Sequence, residues 1–438
     1  MSLSAEPLRR FGHSPDRRGG VDAPPPAQPP DAGEPPLAPS PRSLRGLDWF
    51  IFFVADVQTG FGPFVSVFLT TQKWTQLDIG LVMSVAGFVS LIGQMPGGAL
   101  VDAARSERLV AGIAVGAICV SALGYAALPI FPMVLSAAVV HALASCVLGP
   151  AIAAISLGLV GHALIGERLG RNARFASIGN GLAAAAMGAI GYFSPRAVFI
   201  VTVFLLLPAL LALRNINKNE IDPERAHGAM PKRRADMPPA KPGDLMRNRP
   251  LLIFAGCLLL FHLANAAMLP LMGSVVTMRS ARWATILIAA CIVVPQLVVA
   301  ALSPWMGRRA QTWGRRPLLL IGFAALPVRG ILFASVTNPE LLVVVQLLDG
   351  ITAAVFSVMV PLVVADLTRG TGHFNLGQGI VGTFVGIGAS LSATLAGYLS
   401  DHFGSPAAFA GLAAIAVVGL AVVWLLMPET RELEEVKP

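Results

Sequence analysis

Charged residues are scarce in this chain. Asp, Glu, Lys and Arg make up 13% of its 438 residues, whereas hydrophobic residues make up 55%. Soluble globular proteins carry roughly 25% charged residues, and the mean hydropathy here is +0.70. The composition excludes an ordinary soluble domain and indicates a chain that lies largely within a membrane.

Cysteine is also scarce, and the usual enzyme signatures are missing. The four cysteines lie inside apolar runs without CxxC spacing or an interleaved histidine: Cys119, Cys146, Cys257 and Cys291. We expect them to be small packing residues rather than disulfide or metal ligands. The sequence has no phosphate-binding P-loop and no GxSxG. We therefore expect no enzyme, no ATP-driven pump, no cofactor and no metal; the first forty residues also have no apolar signal-peptide segment.

Long apolar runs are what the chain has in abundance. A helix needs about 20 apolar residues to cross a bilayer, and twelve runs approach or exceed this length. They lie at 47–71, 78–101, 109–128, 131–160, 172–193 and 196–213, and then at 250–276, 283–306, 317–335, 339–366, 375–400 and 405–427. The pattern predicts an all-α membrane protein with twelve transmembrane helices in two six-helix halves, at 44–213 and 250–427.

The segments outside these halves are polar. Residues 1–43 are rich in proline, glycine and arginine, and are predicted to be a disordered tail because they have too little apolar surface to fold. Residues 214–249 are basic and carry several prolines, so we expect a linker rather than a domain. Residues 428–438 form a second tail.

The positive charges are distributed unevenly between the two ends of the predicted bundle. Of the 32 Lys and Arg residues, 27 fall in the tails, the linker and the loops on one side, and only Lys73, Arg196, Arg279 and Arg282 fall on the other. The positive-inside rule then predicts that both termini are cytoplasmic, with Arg168, Arg171 and Arg174 as interfacial anchors. The same rule explains the net charge of +8 without a nucleic-acid partner.

Two charged loops align with each other at a constant offset. Gly98 aligns with Gly307, Asp102 with Gln311, and Arg108 lies next to the position of Arg316. The pattern resembles the loop signature of the major facilitator superfamily, which has Gly, three residues, Asp and then Gly-Arg-Arg/Lys, between helices two and three and between eight and nine. The first copy has Arg105 where a glycine is usual. The second has Gln311 in place of the acid but keeps Gly314-Arg315-Arg316.

Other sequence features recur between the halves. Pro63 matches Pro270, which places Gln58 opposite Asn265, and Val-Val-His141 matches Val-Val-Gln346. The offset stays between about 205 and 209 residues, which indicates duplicated halves in a parallel repeat. The resemblance to the superfamily extends over residues 45 to 427.

The resemblance implies a monomeric secondary transporter in a bacterial inner membrane, surrounded by lipid. It implies alternating access with proton-coupled export of small organic molecules. The loop acid and arginines are expected to form a charge cluster that closes the cytoplasmic side, with the gating residues Gly98, Asp102, Arg105, Arg108, Gly307, Gln311, Gly314, Arg315 and Arg316. Two alternatives remain: an uptake symporter or facilitator of the same fold, and a non-transporting membrane scaffold or sensor. The fifth span lacks the Gly-Pro-x-x-Gly-Gly signature common in antiporters of the superfamily, which weighs against antiport.

Asp56 is the first candidate for proton coupling. It lies nine residues into the first apolar run, and a charged side chain at this depth costs on the order of 3 kcal/mol. A desolvated carboxyl group would titrate near physiological pH, as a coupling site requires. The alternative is a packing carboxylate hydrogen-bonded to Gln58 or Asn265.

Further polar residues interrupt the apolar runs. His141 and His262 are either proton relays or hydrogen-bonded packing residues, and Asn180 and Gln346 are candidate cavity residues. Arg329 and Asp349 lie at similar depths in adjacent antiparallel spans, so we expect a buried ion pair in which each neutralises the other. Direct contact of Arg329 with an anionic substrate is the alternative.

Overall fold

The computed structural model describes residues 38–59, 65, 68–194, 196–229, 241–279, 281–336 and 338–431. Within these ranges it describes only the backbone of 56–59, 76, 188, 191–193, 274–279, 281–289 and 339. The predicted N-terminal tail therefore lies almost wholly outside the described residues. The side chains of Asp56 and Gln58 also lie outside the described residues. Their predicted roles therefore stay predictions.

The described chain is almost entirely helical. The long helices of the N-terminal part are α1 (Pro41–Thr59), α2 (Gln76–Asp102), α3 (Glu107–Ala127), α4 (Phe131–Phe193) and α5 (Ala197–Arg214). A 3-10 turn (Lys218–Glu220) and the short helices α6 (Pro223–Ala226) and α7 (Pro242–Leu245) follow. The C-terminal part comprises α8 (Arg249–Asn265), α9 (Met268–Arg279), α10 (Ala281–Trp313), α11 (Arg315–Ser335), α12 (Pro339–Val345), α13 (Leu347–Leu367), α14 (Phe374–Phe403) and α15 (Ser405–Leu426). The only β-type pairing in the described ranges is an isolated bridge of Ala229 with Gly370 and Thr371.

Helix α4 is two membrane spans joined without a loop. Its 63 residues would extend ~95 Å at 1.5 Å per residue, about three times the thickness of a hydrocarbon core. Gly161 breaks the helix with φ 68° and ψ 177°, a conformation that favours glycine because it has no Cβ. The two parts correspond to the predicted spans at 131–160 and 172–193.

Ten helices in the described ranges are long and apolar enough to cross a membrane, with α4 counted once. Dividing α4 at Gly161 gives eleven. Helix α1 covers the first part of the remaining predicted span, whose continuation lies partly outside the described residues. The predicted all-α membrane fold is confirmed, and its helices are consistent with twelve spans.

Each predicted half has its own hydrophobic core. One large cluster of buried apolar side chains comes from residues 47–226. The other comes mostly from residues 245–427 and is extended by four residues of α4, Ala153, Leu157, Ile165 and Leu169. Helix α4 thus contributes to both cores.

The two halves meet along two matching seams, α2 with α14 and α4 with α10. In the first seam Gly98 packs on the backbone of Asn375, and in the second Gly307 packs on the backbone of Gly166 so closely that a Cβ on either glycine would clash. The offset of 209 residues that relates Gly98 to Gly307 also relates Gly166 to Asn375. The seams are therefore related by the internal repeat, as expected of a parallel duplication.

Candidate functional site

A cavity of about 340 Å³ lies between the halves. Helices α1, α2 and α4 line it from the N-terminal half, and α13 and α14 line it from the C-terminal half. The lining residues are Ile51, Val54, Ala55, Gln94, Gly149, Pro150, Ile152, Ala153, Leu169, Asn172, Ala173, Ala176, Ser357, Pro361 and Gln378. Its volume falls in the usual range for small-molecule sites, roughly 300–1,000 Å³.

The polar groups that the described residues place in the cavity are neutral. Three amides, Gln94, Asn172 and Gln378, and one hydroxyl, Ser357, interrupt an otherwise apolar lining. The Nε2 atom of Gln378 is buried and has no hydrogen-bond partner among the described residues. Because buried polar groups are normally satisfied, this N–H group is available to a bound molecule.

A buried charge network supports one wall of this cavity. Asp48, which is 1% exposed, pairs with Arg168 and also accepts a 2.6 Å bond from Nη2 of Arg171. Arg168 Nε donates to Oδ1 of the lining residue Asn172 at 2.6 Å, and Asn172 Nδ2 donates to Ser156 Oγ at 2.8 Å. Arg168 is therefore buried in the bundle and does not act as the interfacial anchor expected from its position.

One end of the bundle is closed by Asp102. This end carries the residue 103–106 loop and the linker, and we call it the linker side. Asp102 accepts hydrogen bonds from the Asn375 backbone N (3.1 Å), Asn375 Nδ2 (2.8 Å) and the Leu376 backbone N (2.7 Å). These groups form the first turn of α14, where the helix dipole favours a carboxylate. The predicted gating residues Gly98 and Asp102 therefore lie together at the α2–α14 seam.

The α4–α10 seam is closed by a different interaction. Gln311 Nε2 donates to the Ala163 carbonyl oxygen at 3.3 Å, next to the contact between Gly307 and Gly166. A carbonyl oxygen needs a donor, so an amide fits here and a carboxylate would be repelled. Asp102 of the first loop thus meets N–H donors, which suit a carboxylate, and Gln311 of the second loop meets a carbonyl oxygen, which suits an amide.

The loop arginines do not join Asp102 in the expected charge cluster. Arg108 donates to the Ile216 carbonyl oxygen, and Arg105 is exposed without an ion pair among the described residues. In the second loop Gly314 has φ 91°, and Arg315 pairs with Asp366 at 2.8 Å. Arg108 thus binds the start of the linker and Arg315 binds within the C-terminal half, while the Asp102 carboxylate is occupied by backbone and amide donors.

Arg315 and Arg316 also hold the C-terminal segment. Their backbone N–H groups donate to the Glu429 carboxylate at 2.8 and 3.0 Å, at the start of α11. The side chains of Arg315 and Arg316 contact Asp366 and the Trp424 carbonyl oxygen, also in the C-terminal part, whereas the closing contacts come from Gly307 and Gln311.

Arg329 and Asp349 are brought together in direct contact. Arg329 is 2% exposed and also donates to Oδ1 of Asn265, the last residue of α8. Its Nη2 lies 3.4 Å from the Met268 sulfur, at the first residue of α9. Arg329 thus connects Asp349 of α13 to the break between α8 and α9. The repeat alignment did not indicate that Asn265 would be a partner of Arg329.

The remaining predicted site residues whose side chains are described lie away from the cavity lining. The His262 ring contacts Phe261 edge-on, with 5.3 Å between ring centroids. Gln346 is buried between α12 and α13, where its Nε2 donates to the Cys291 carbonyl oxygen at 3.4 Å. His141 and Asn180 are half-buried in α4. The cavity amides were missed instead, although Gln94 and Gln378 are visible as polar interruptions of apolar runs.

Part of the predicted linker is folded against the closed end. We call residues 221–229 the strap. Its Asp222 backbone N donates to the Gly158 carbonyl oxygen at 3.2 Å, and its Gly228 carbonyl oxygen accepts from the Gly370 backbone N at 2.7 Å. The strap therefore contacts α4 of the N-terminal half and the loop before α14 of the C-terminal half.

A histidine of the strap carries its ionic contact. His227 Nε2 lies 3.1 Å from Oε1 of Glu107, which is 4% exposed. The contact with the Glu107 carboxylate raises the pKa of His227 above its usual value, against the opposing effect of burial, and the negative charge of Asp102 acts in the same direction. The His227 carbonyl oxygen also accepts from the Phe374 backbone N at 3.1 Å.

The chain is similar in sequence to known membrane transporters. The sequence model of the MFS_1 like family matches residues 44–410. An uncharacterized MFS-type transporter of Mycobacterium tuberculosis strain CDC 1551 is 42% identical over 406 residues, which cover 90% of this chain and 95% of the relative. The corresponding protein of strain H37Rv matches to the same extent.

Solved structures share the fold at low sequence identity. The human organic anion transporter MFSD10 (TETRAN) matches with a TM-score of 0.62 at 14% identity, over 88% of this chain and all of that chain. The proton:xylose symporter XylE, solved with 6-bromo-6-deoxy-D-glucose, matches with a TM-score of 0.63 at 14% identity, over 89% of this chain and 95% of that chain. At this identity the likeness extends to the fold alone.

Proposed function

Because this chain belongs to the MFS_1 like family, we propose that it is a secondary transporter that carries a small organic molecule by alternating access. The unsatisfied Nε2 of Gln378 in the cavity between the halves carries the proposal. Such a group costs about 1–3 kcal/mol when left unpaired, and it differs from other unpaired buried atoms, such as Ser121 Oγ and Ser303 Oγ, in lying within a cavity. A substrate that accepts its hydrogen bond recovers that cost.

The composition of the cavity favours an amphipathic, neutral or weakly charged substrate. None of the described residues that line it carries a formal charge, so a polyanion would be desolvated there without compensation from them. Amides can donate and accept hydrogen bonds, which suits a molecule with a few polar groups on an apolar frame.

We propose that the linker side faces the cytoplasm of a bacterial cell and that the protein acts as a monomer. The excess of Lys and Arg on that side supports the orientation, and the relatives in Mycobacterium tuberculosis support the bacterial membrane. With the linker side closed by Asp102 and Gln311, this conformation would correspond to the outward-facing or occluded part of the cycle.

We propose that the protein exports its substrate and that export is coupled to proton movement. Asp56 is the proposed proton carrier, and Asp48 is a second buried carboxylate that reaches the cavity wall through Arg168 and Asn172. Asp48 is already held in ion pairs with two arginines, Arg168 and Arg171. Asp56 is therefore the better candidate to bind and release a proton during transport.

The experiment uses proteoliposomes with an imposed pH gradient, a pH-sensitive dye and a panel of compounds. Wild type would be compared with Gln378→Leu, Asp56→Asn and, as a control, Gln72→Leu at an exposed amide outside the cavity. We expect a substrate to dissipate the gradient in wild type and Gln72→Leu, and to lose affinity in Gln378→Leu. Equal responses of Gln378→Leu and wild type would contradict the proposal that this cavity binds the substrate. An unaffected Asp56→Asn would contradict the proposal that Asp56 carries the proton.

A further inference from the structure

A second groove opens on the linker side, between the first turns of α3 and the last turns of α5. Its volume is about 350 Å³, within the range of ligand sites. The residues nearest the helix ends are polar or basic: Ser106, Arg108, Arg214 and Lys218. The other lining residues, which lie beside these or about one turn deeper, are apolar or small: Leu109, Gly112, Ile113, Leu210 and Leu213. The groove thus has a cationic end and an apolar length.

Among the described residues, no acid lines the cationic end. Arg108, Arg214 and Lys218 contribute three positive charges, while the neighbouring Glu107 is buried and directs its carboxylate to His227. The N-terminal end of the α3 dipole and the C-terminal end of the α5 dipole carry about half a charge each, of opposite sign, and offset one another. The three side chains therefore decide the local charge.

The apolar part of the groove lies on the surface of the helix bundle that would face the bilayer. Leu109 and Ile113 are 63% and 62% exposed, on a helix apolar enough to cross a membrane. A Cβ on Gly112 would meet only Leu213, at 3.4 Å, and one on Gly116 would meet nothing within 4 Å. Two glycines one turn apart thus leave an open path along α3 that begins beside the three cations.

We propose that this groove binds one anionic glycerophospholipid of the leaflet on the linker side. Its phosphate would lie against Arg108, Arg214 and Lys218, and one acyl chain would follow α3 past Gly112 and Gly116. A free phosphate would leave the apolar wall uncovered, and a lipid without net charge would leave three cations uncompensated. Only an amphipathic anion matches both parts.

The test is thermal unfolding of the full-length protein in a neutral detergent, titrated with dioleoylphosphatidylglycerol, dioleoylphosphatidylcholine or inorganic phosphate. We expect the phosphatidylglycerol to raise the unfolding midpoint at the lowest concentration. Each cation contributes about fivefold to affinity for an anionic lipid, so Arg214→Gln/Lys218→Gln should raise the half-maximal lipid concentration by about 25-fold. Both side chains are exposed, so this variant should fold.

Two matched controls separate a groove from a generally basic surface. Lys241→Gln/Arg247→Gln removes one Lys and one Arg that are also exposed on the linker, and should leave the titration unchanged. Gly112→Phe fills the acyl path while keeping all three cations, and should abolish the effect, whereas Gly112→Ala should retain it. An equal loss in the linker variant, an equal response to inorganic phosphate, or an unaffected Gly112→Phe would each overturn the proposal.

Discussion

Asn375 donates both its backbone N–H and its side-chain amide to one oxygen atom, Oδ1 of Asp102, from 273 residues away in the chain. The other carboxylate oxygen accepts from the Leu376 backbone N. Asn375 and Leu376 both belong to the start of α14, so the Asp102 side chain of the N-terminal half holds the first turn of a helix in the other half. The closed linker side depends on this contact more than on the arginines of the same loop.

Asp102→Asn should therefore open the linker side. The amide has one acceptor atom instead of two, and its NH₂ group would face the Leu376 N–H. Hydrogen bonds to a charged group contribute about 1.5–3 kcal/mol, so we expect the open population to rise at least tenfold. The measurement is labelling of a cysteine introduced at Ser357, in the cavity, by a maleimide supplied from the linker side.

The background for this labelling is low, because the four native cysteines are buried. Asp78→Asn is the control, since Asp78 lies at the opposite end of the same helix. Equal labelling of Asp102→Asn and wild type, with unchanged transport, would rule out the gating role of Asp102.

Gly98→Ala should disfavour the same closed state for a steric reason. The added methyl group would meet the Asn375 backbone, which cannot move aside as a flexible side chain can. We expect transport to fall severely, while Gly116→Ala, where nothing lies within 4 Å of the new methyl group, remains near wild type. A Gly98→Ala protein that transports normally would show that α2 and α14 need not approach this closely.

The strap should become less stable as pH rises. Its ion pair with Glu107 raises the pKa of His227 above that of a free histidine, so the pair is fully formed below about 6.5 and is lost as pH rises through the raised pKa. We expect the unfolding midpoint of wild type to fall more between pH 6 and pH 9 than that of His227→Gln. His402→Gln, at an exposed histidine, should follow wild type; a parallel fall in His227→Gln would assign the pH dependence to other groups.

Arg329→Met should destabilise the C-terminal half by less than the about 3–5 kcal/mol that removing one member of a fully buried pair costs, because the Asp349 side chain is 27% exposed. Asp349 would keep its charge without its partner, and Asn265 would lose its donor. Removing both charges in Arg329→Met/Asp349→Asn should recover part of the loss. The check is a double-mutant cycle of unfolding midpoints; additive effects would show that the pair is not coupled.

The spans were predictable because bilayer thickness fixes the length of an apolar helix, and twelve runs of that length are present in the sequence. The contact of Arg329 with Asp349 was also anticipated, since two opposite charges at similar depth favour pairing. Asn265 as a further partner was not, because it depends on where α8 ends.

The cavity and the strap were largely hidden from the sequence for two physical reasons. Amides cost less in a membrane than charges do, so Gln94 and Gln378 attract less notice than Asp56 or His262, although they line the cavity. The strap has only a four-residue helix, and its partners Gly158 and Gly370 lie far away in the chain. A local sequence pattern cannot predict contacts between residues so far apart in the chain.

The two seams between the halves are equal in shape but are held differently at the linker end. The repeat gives both the same glycine-on-backbone approach, but there Asp102 supplies a charged acceptor with three donors, whereas Gln311 supplies one neutral hydrogen bond. Further along the second seam, Arg174 Nε of α4 donates to the Ala300 carbonyl oxygen of α10 at 3.0 Å. We therefore expect the linker side to part first along α4 and α10, with α2 and α14 as the pivot. The symmetric duplication would then produce a one-sided, hinge-like opening, which spin labels placed across each seam would detect as a larger distance change between α4 and α10.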